Sequence, residues 1–298
     1  MEKVTINFLG TGNAIPTKEK NHTAILASFK NEIILVDCGE GTQRQLKIAG
    51  LSAHKINRIL ITHWHGDHIL GLPGLFETLV MTGYTKKLKI YGPKGTKYFM
   101  SILLKLIPGL KLLLEIHEVS GKFIDEKDFY IEAKPMSHGV PTNAYAIVIK
   151  DKIRIDKNKI KKLRIPQSPL LGKLQQGKDI IIDNKKIKAK DVTYLEKGKK
   201  VSFILDTKMN DNSIKLAKNS DILIIESAFS SEEARKAKAK EHLTSEEAAI
   251  IAKKAKVKQL ILTHISQRYE HCPEVIENEA KKIFKNVSIA KDFDKIEV

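Results

Sequence analysis

Polar and apolar residues alternate over 4–9, where Val4, Ile6 and Phe8 are separated by Thr5 and Asn7, the period of a half-buried strand. Residues 23–29 and 32–36 read as two more strands around a turn at Lys30-Asn31, and 43–49 as a short helix. Arg58-Ile59-Leu60-Ile61 has the look of a short buried strand. Residues 69–81 are apolar and compatible with a helix, although Gly71 and Pro73-Gly74 disturb its first turns. Strands at 89–91, 112–117 and 129–133 and a helix at 94–106 complete the first half. The pattern resumes after residue 200 with strands at 201–205, 221–226 and 259–262. Helices are expected at 211–217, 231–240, 245–256 and 272–284, and the chain ends on strand-like residues. Thr244 or Ser245 is placed to cap the third of these helices. Two blocks of mixed strands and helices, with no repeat at a solenoid period, predict an α/β fold. The arrangement implied is a four-layer αβ/βα sandwich with helices outside and sheets inside.

Residues 151–200 break the pattern. Few large apolar residues fall in phase there, and Pro166, Pro169, Gly172 and Gly177 interrupt it. The segment carries sixteen Lys/Arg against six Asp/Glu, so +10 of the chain's +17 is concentrated in it. It reads as a basic arm inserted into one domain spanning 1–298. Its two readings are a solvated linker and a surface for phosphate backbones. The overall surplus, with a pI near 9.6, favours polyanions, nucleic acid before anionic membrane. A Lys-rich surface of the thermophile kind would give the same balance.

Cys38 and Cys272 are the only cysteines, too few for a disulfide framework. The first residues lead directly into a strand without a leader pattern, and no apolar run is long enough to span a bilayer. A cytoplasmic protein is expected, with no membrane partner.

The densest chemistry is Thr62-His63-Trp64-His65-Gly66-Asp67-His68, three imidazoles and a carboxylate within six residues. It lies between the strand at 58–61 and the helical run after it, on a loop that a layered scaffold would hold still. Alternation lets His63 and His65 converge on one point while Asp67 and His68 turn to another. That suits two adjacent zinc ions about 3.5–4 Å apart. Surface histidines on a polar loop are the plainer reading. His138 follows a strand and could complete a set with His63 and His65. Asp206 and His264 both lie just past strand ends, where ligands gather in α/β sheets. Zn, Mn and Fe all accept such a donor set. In Asp37-Cys38-Gly39-Glu40-Gly41-Thr42 the glycines allow a sharp turn toward whatever Asp37 and Thr42 face, or serve only the turn.

His63-x-His65-x-Asp67-His68, followed in order by His138, Asp206 and His264, resembles the metallo-β-lactamase superfamily over the whole chain. Within it the sequence is most similar to the ribonuclease Z (tRNase Z) family. That narrower likeness rests on four stretches: Asp37-Cys38-Gly39-Glu40-Gly41-Thr42-Gln43, His68-Ile69-Leu70-Gly71-Leu72-Pro73-Gly74, Glu241-His242-Leu243-Thr244, and Thr263-His264-Ile265-Ser266-Gln267-Arg268-Tyr269. The basic insertion stands where the family has its tRNA-gripping arm. Leu205 and Lys208 flank Asp206-Thr207 where the family usually has Gly and Arg, and Lys20 stands where Arg is common.

The resemblance implies two zinc ions per subunit, one on His63, His65 and His138, the other on Asp67, His68 and His264, bridged by Asp206. It implies that Asp67 also orients the attacking water, and that His242, otherwise a surface histidine at a helix start, serves the leaving or a phosphoryl oxygen. The implied substrate is precursor tRNA, cut after the discriminator nucleotide to leave a tRNA 3′-hydroxyl and a trailer 5′-phosphate. The implied assembly is a homodimer in which one subunit's arm serves the other's site. A hydrolase of small phosphodiesters or esters on the same core is the rival enzyme, and an RNA-binding module with a vestigial metal site the rival outside enzymes.

Overall fold

The computed structural model describes residues 3–182 and 185–298. Met1 and Glu2, ahead of the first strand, and Asp183-Asn184 of the basic segment lie outside them. The first half runs β1 (Thr5–Gly10), β2 (Ala24–Phe29), β3 (Glu32–Val36), α1 (Thr42–Ile48), β4 (Arg58–Leu60), α2 (Gly66–Ile69), α3 (Leu72–Met81), β5 (Leu88–Gly92), α4 (Thr96–Lys105) and β6 (Leu114–Glu118). Strands β7 (Gly121–Asp125), β8 (Phe129–Pro135) and β9 (Asn143–Ile149) follow. The basic segment holds β10 (Lys152–Ile155), α5 (Lys157–Lys162), α6 (Leu170–Gln175), β11 (Ile180–Ile182), β12 (Lys185–Ile187), α7 (Ala189–Val192) and β13 (Thr193–Glu196). The second half is β14 (Lys199–Ile204), α8 (Asp211–Ala217), β15 (Ile222–Glu226), α9 (Ala234–Lys240), α10 (Ser245–Ala255), β16 (Gln259–Thr263), α11 (Glu274–Ile283), β17 (Val287–Ile289) and β18 (Lys295–Glu297).

Two seven-stranded sheets result, ordered β18-β1-β2-β3-β4-β5-β6 and β17-β16-β15-β14-β9-β8-β7. Their inner faces share one core: Ile6, Phe8, Ile25 and Ile34 of the first sheet pack with Ile131, Ile147, Phe203 and Ile224 of the second. The outer face of the first sheet is covered by Leu46 of α1, Leu72 and Phe76 of α3, and Met100 of α4. That of the second is covered by Leu216 of α8, Ala248 and Ile251 of α10, and Ile276 of α11. Helix, sheet, sheet, helix is the four-layer metallo-β-lactamase arrangement. Each apolar stripe finds an apolar face, so the layers follow from the sequence periodicity.

The structure departs from the sequence reading in the strands β7 and β9 and in the run 69–81. The strand β9 was not expected, yet it lies in mid-sheet between β8 and β14. Its sequence, Asn143-Ala144-Tyr145-Ala146-Ile147-Val148-Ile149, is buried on both faces and so lacks the alternation that marks a half-exposed strand. The run 69–81 is not one helix, because α2 and α3 are separate at Leu70-Gly71. Gly71 donates to Cys38 O at 2.9 Å, and a Cβ at Gly71 would sit 2.0 Å from Gly39 O. The chain is thus pinned to the loop after β3 at that point. The C-terminal β18 returns across the molecule to pair antiparallel with β1, matching Thr5 with Glu297.

The basic segment has its own pairings, β10 with β13 and β11 with β12, apart from both large sheets. It also has a small core that the sequence pattern did not reveal: Ile160, Ile165, Leu174, Ile180, Ala189 and Val192 cluster together. These residues are irregularly spaced, since each of the short elements contributes only one or two. Among the described residues no helix is long and apolar enough to cross a membrane.

Candidate active site

The parallel strands of both sheets point their C-terminal ends at one cleft. Strands β3 to β6 run parallel in the first sheet, and β14 to β17 in the second. Asp37 follows β3, the His63–His68 stretch follows β4, Asp206 comes two residues after β14, Glu226 ends β15 and His264 follows β16. Asp37, Asp206 and His264 have φ of 57°, 49° and 56°. This left-handed backbone costs a residue with a Cβ about 1 kcal/mol or more each. It turns the side chain sharply off the strand end, and the surrounding packing holds it there.

His63, His65, His138 and Asp206 bring one donor atom each within 4.8 Å of one another, and Asp67, His68, Asp206 and His264 do the same. In the first group His63 Nε2 lies 3.0 Å from His65 Nδ1, and His138 Nε2 lies 3.3 Å from the same atom. In the second, His264 Nε2 is 3.3 Å from His68 Nε2, from Asp67 Oδ2 and from Asp206 Oδ1. Asp206 Oδ2 is 3.5 Å from both His63 Nε2 and His68 Nε2, so Asp206 belongs to both groups. All seven residues singled out as ligands in the sequence are therefore brought together.

The donor set fits metal ions. Three imidazole nitrogens that face one another at these distances cannot all hold protons, and lone pairs turned together call for a cation. Asp206 Oδ1 is buried and has no hydrogen-bond partner among the described residues, as an oxygen reserved for a metal would be. Burial, with His68 beside it, pushes His63 well below its ordinary pKa, and burial with His138 lowers His65. Burial alone would raise Asp67 and Asp206. For Asp67 the hydrogen bonds from His264 and His68 win, and for Asp206 the charges of His264 and His68 do, so both stay below the carboxylate range.

A second set of residues aims these donors. Asp37 is fully buried. Its carboxylate meets His68 Nδ1 at 2.7 Å and accepts from Thr62 N and Thr62 Oγ1, each at 2.7 Å. That fixes Nε2 of His68 as the atom facing the cleft. His138 Nδ1 is 3.1 Å from the Glu241 carbonyl, which turns its Nε2 inward in the same way. Glu226, also fully buried, lies 3.0 and 3.1 Å from His242 Nδ1 and accepts from Thr207 N at 2.6 Å. One carboxylate thus positions His242 and the turn that carries Asp206. Burial would lower the pKa of His242, but the Glu226 charge and hydrogen bond outweigh it and raise it to about 9. The His242 ring lies 5.6 Å from that of His264 and 5.2 Å from that of His138, beside both donor groups. Behind it, Thr244 and Glu247 form a reciprocal capping box at the start of α10. Thr244, not Ser245, is the cap.

Full-length relatives decide the family. A ribonuclease Z of Methanothermobacter thermautotrophicus is 39% identical over 296 residues, 98% of this chain and 96% of that protein. One of Enterococcus faecalis is 40% identical over 306 residues, 98% of this chain and 97% of that protein. The chain belongs to the ribonuclease Z family. The crystal structure of the short form of human tRNase Z superposes with a TM-score of 0.71 at 26% identity, covering 98% of both chains. A metallo-β-lactamase fold protein of Bacillus subtilis shares the fold at TM-score 0.72 and 20% identity, covering both chains fully. A family model described as anti-Pycsar protein Apyc1 also matches, over residues 4–103 only.

Sequence reasoning for this ribonuclease Z family member left out Glu226. It closes the apolar strand Ile222-Leu223-Ile224-Ile225-Glu226, and a carboxylate inside such a run was the available signal. Asp37 was noticed only as facing something unnamed.

Proposed function

We propose that the protein is a zinc-dependent endoribonuclease that removes 3′ trailers from tRNA precursors. It hydrolyses the phosphodiester after the discriminator nucleotide, leaving a tRNA 3′-hydroxyl and a 5′-phosphate on the trailer. The observation that carries this reading is the pair of donor groups sharing Asp206 with the His242–Glu226 pair alongside, in a chain that matches ribonuclease Z proteins end to end.

One zinc ion is assigned to His63, His65 and His138, the other to Asp67, His68 and His264, with Asp206 between them. Bound there, the ions would supply Lewis acidity, making a nearby water more acidic and offsetting charge that grows on the phosphoryl group. Asp67 turns Oδ2 to His68 and His264, and its other oxygen is assigned to orient the attacking water and accept its proton. His242, charged at neutral pH, donates from Nε2 to the departing 3′ oxygen, while Glu226 holds Nδ1 and stabilises the cation.

The segment 151–200, inserted into the single domain 1–298, is assigned to gripping the tRNA backbone, with its lysines releasing counterions. The protein is placed in the cytoplasm as a homodimer, each arm serving the partner's site. Sedimentation of a monomer that is fully active on pre-tRNA would contradict that assembly.

The rival is a hydrolase of small phosphodiesters or esters. Side-by-side kcat/KM values on a pre-tRNA, on bis(p-nitrophenyl) phosphate and on a thioester separate the two. The proposal requires pre-tRNA to be favoured by several orders of magnitude. Turnover of the small compounds with none of pre-tRNA would defeat it.

A further inference from the structure

The first donor group depends on a carbonyl that is lightly held. His138 Nδ1 is aimed by Glu241 O at 3.1 Å, and Glu241 caps the C-terminus of α9. In that helix Ala237 is buried, while Arg235, Lys236, Lys238 and Lys240 are exposed. Its end is closed by Glu241 N, which donates to Lys238 O at 3.2 Å, and by His242 N, which donates to Ala237 O at 2.9 Å. Glu241 takes a left-handed backbone, with φ of 57°, to make that turn. Glycine adopts this conformation without strain, so the Glu side chain stands here at a conformational cost. The turn after β14 is held more firmly. Lys208 N donates to Ser137 O at 2.9 Å, and Lys208 O accepts from Asn210 Nδ2 at 2.9 Å and from Thr207 Oγ1 at 2.8 Å.

An ion pair joins the firm turn to the loose one. Lys208 Nζ donates to Glu241 Oε1 at 2.7 Å, and Glu241 Oε2 lies against Gly139, where a Cβ would be 3.4 Å away. The two side chains are 47% and 30% exposed, so the pair adds little to the stability of the fold. Its position gives it another use. It closes a triangle of three loops, one carrying His138, one carrying Asp206 and one carrying His242. The backbones of Ser137 and Lys208 join the first two, the His138–Glu241 bond joins the first to the third, and the Lys208–Glu241 pair joins the second to the third. Loss of that last side leaves the Glu241 peptide free to rock about the end of α9, and His138 and His242 with it. His68 needs no such help, because the fully buried Asp37 holds its Nδ1 at 2.7 Å.

We propose that Lys208 and Glu241 form a clasp that orients His138 and His242 together, so that retention of the zinc ion on His63, His65 and His138 depends on it, while retention of the ion on Asp67, His68 and His264 does not. Both are positioning residues. The inference rests on the reading of the two donor groups as zinc sites. It gives Lys208 a part in the site that needs no contact with RNA.

The test is stepwise release of zinc to a chelator from the wild type and its variants. Lys208→Met should hold one zinc ion about tenfold more weakly, the usual scale for losing an outer support of a ligand, and the other as tightly as the wild type. The weakened ion should be the one missing from His138→Ala. Lys208→Arg should restore it, and Lys208→Met combined with Glu241→Gln should weaken it no further than either change alone. Glu241→Gly separates the clasp from simple support of the fold. It relieves the left-handed turn, so the urea midpoint of the metal-free protein should hold or rise while the same zinc ion weakens. On pre-tRNA, kcat of Lys208→Met should fall while KM holds. Undiminished zinc in Lys208→Met, or equal weakening of both ions, would overturn the proposal. So would a rise in KM alone, which would make Lys208 an RNA contact. A wild type that holds no zinc would defeat the zinc reading itself and the clasp with it, whereas two ions held equally well by wild type and Lys208→Met would defeat the clasp alone.

Discussion

Glu226→Gln is the substitution that most sharply separates positioning from metal binding. Gln keeps an oxygen for Thr207 N, so the turn that carries Asp206 keeps its bond at 2.6 Å. What is lost is the negative charge 3.0 Å from His242 Nδ1. Against burial, that charge and its hydrogen bond, with a smaller part from Asp206, raise His242 from 6.5 to about 9. The difference corresponds to about 3 kcal/mol in favour of the protonated ring, in line with the roughly 1.5–3 kcal/mol of a hydrogen bond to a charged group. Without it, only the weaker pull of the Asp206 charge opposes burial, and His242 is largely neutral at pH 7. A general acid is worth about 10²–10⁴ in rate, so single-turnover cleavage of pre-tRNA by Glu226→Gln should fall by about that factor at pH 7. The sign of the pH dependence follows: an acid must be protonated, so wild-type activity declines as pH rises through about 9. In Glu226→Gln the decline should begin at least about two pH units lower. Metal content by mass spectrometry should be unchanged. Wild-type rates with an unmoved alkaline limb would refute the acid assignment, and loss of metal would show that Glu226 supports the donors instead.

The other predictions concern the supports of the site. Asp37→Asn removes the charge that holds His68 Nδ1; zinc affinity, from competition with a chelator, should weaken about 10–100-fold, and an unchanged affinity would mean that packing alone orients the ring. Replacing 152–197 by a short Gly/Ser linker should raise KM for pre-tRNA strongly and flatten its salt dependence, while turnover of bis(p-nitrophenyl) phosphate stays within about twofold of wild type, as follows if the phosphate contacts lie in the arm. Equal loss on both substrates would make the arm structural. Tyr145, fully buried between the sheets, donates its hydroxyl to Ile61 O at 2.6 Å; Tyr145→Phe should lose about 1–2 kcal/mol in urea unfolding, and no loss would place water or another donor on that carbonyl.

How much of this was legible in the sequence depended on sequence distance. His63, His65, Asp67 and His68 are neighbours in the chain, and the ring of donors could be read from their spacing alone. Asp206 and His264 were legible because each lies just past a strand end, and the ends of parallel strands converge; His138 follows β8, antiparallel to both its neighbours, and was legible only as a histidine after a strand. Glu226 was not, because its meaning comes from His242, sixteen residues away, and from the turn at Thr207, and only the ladder of β14 and β15 brings the three together. The interrupted helix at Leu70-Gly71 had a local sign in its glycine, but its cause, contact with Gly39, is long-range. The strand β9 escaped because a strand buried on both faces shows no alternation. The small core of the arm escaped because it is assembled from single residues of several short elements.

The central claim is that this cleft cuts tRNA precursors at one bond with the donors described. The direct measurement is to map the cut on an end-labelled pre-tRNA bearing a 3′ trailer, with zinc-loaded wild type and His65→Ala side by side. The account predicts one cut after the discriminator, a 3′-hydroxyl on the tRNA, a 5′-phosphate on the trailer, and no product from His65→Ala. Cuts scattered along the RNA, or the same cut made by His65→Ala, would contradict it.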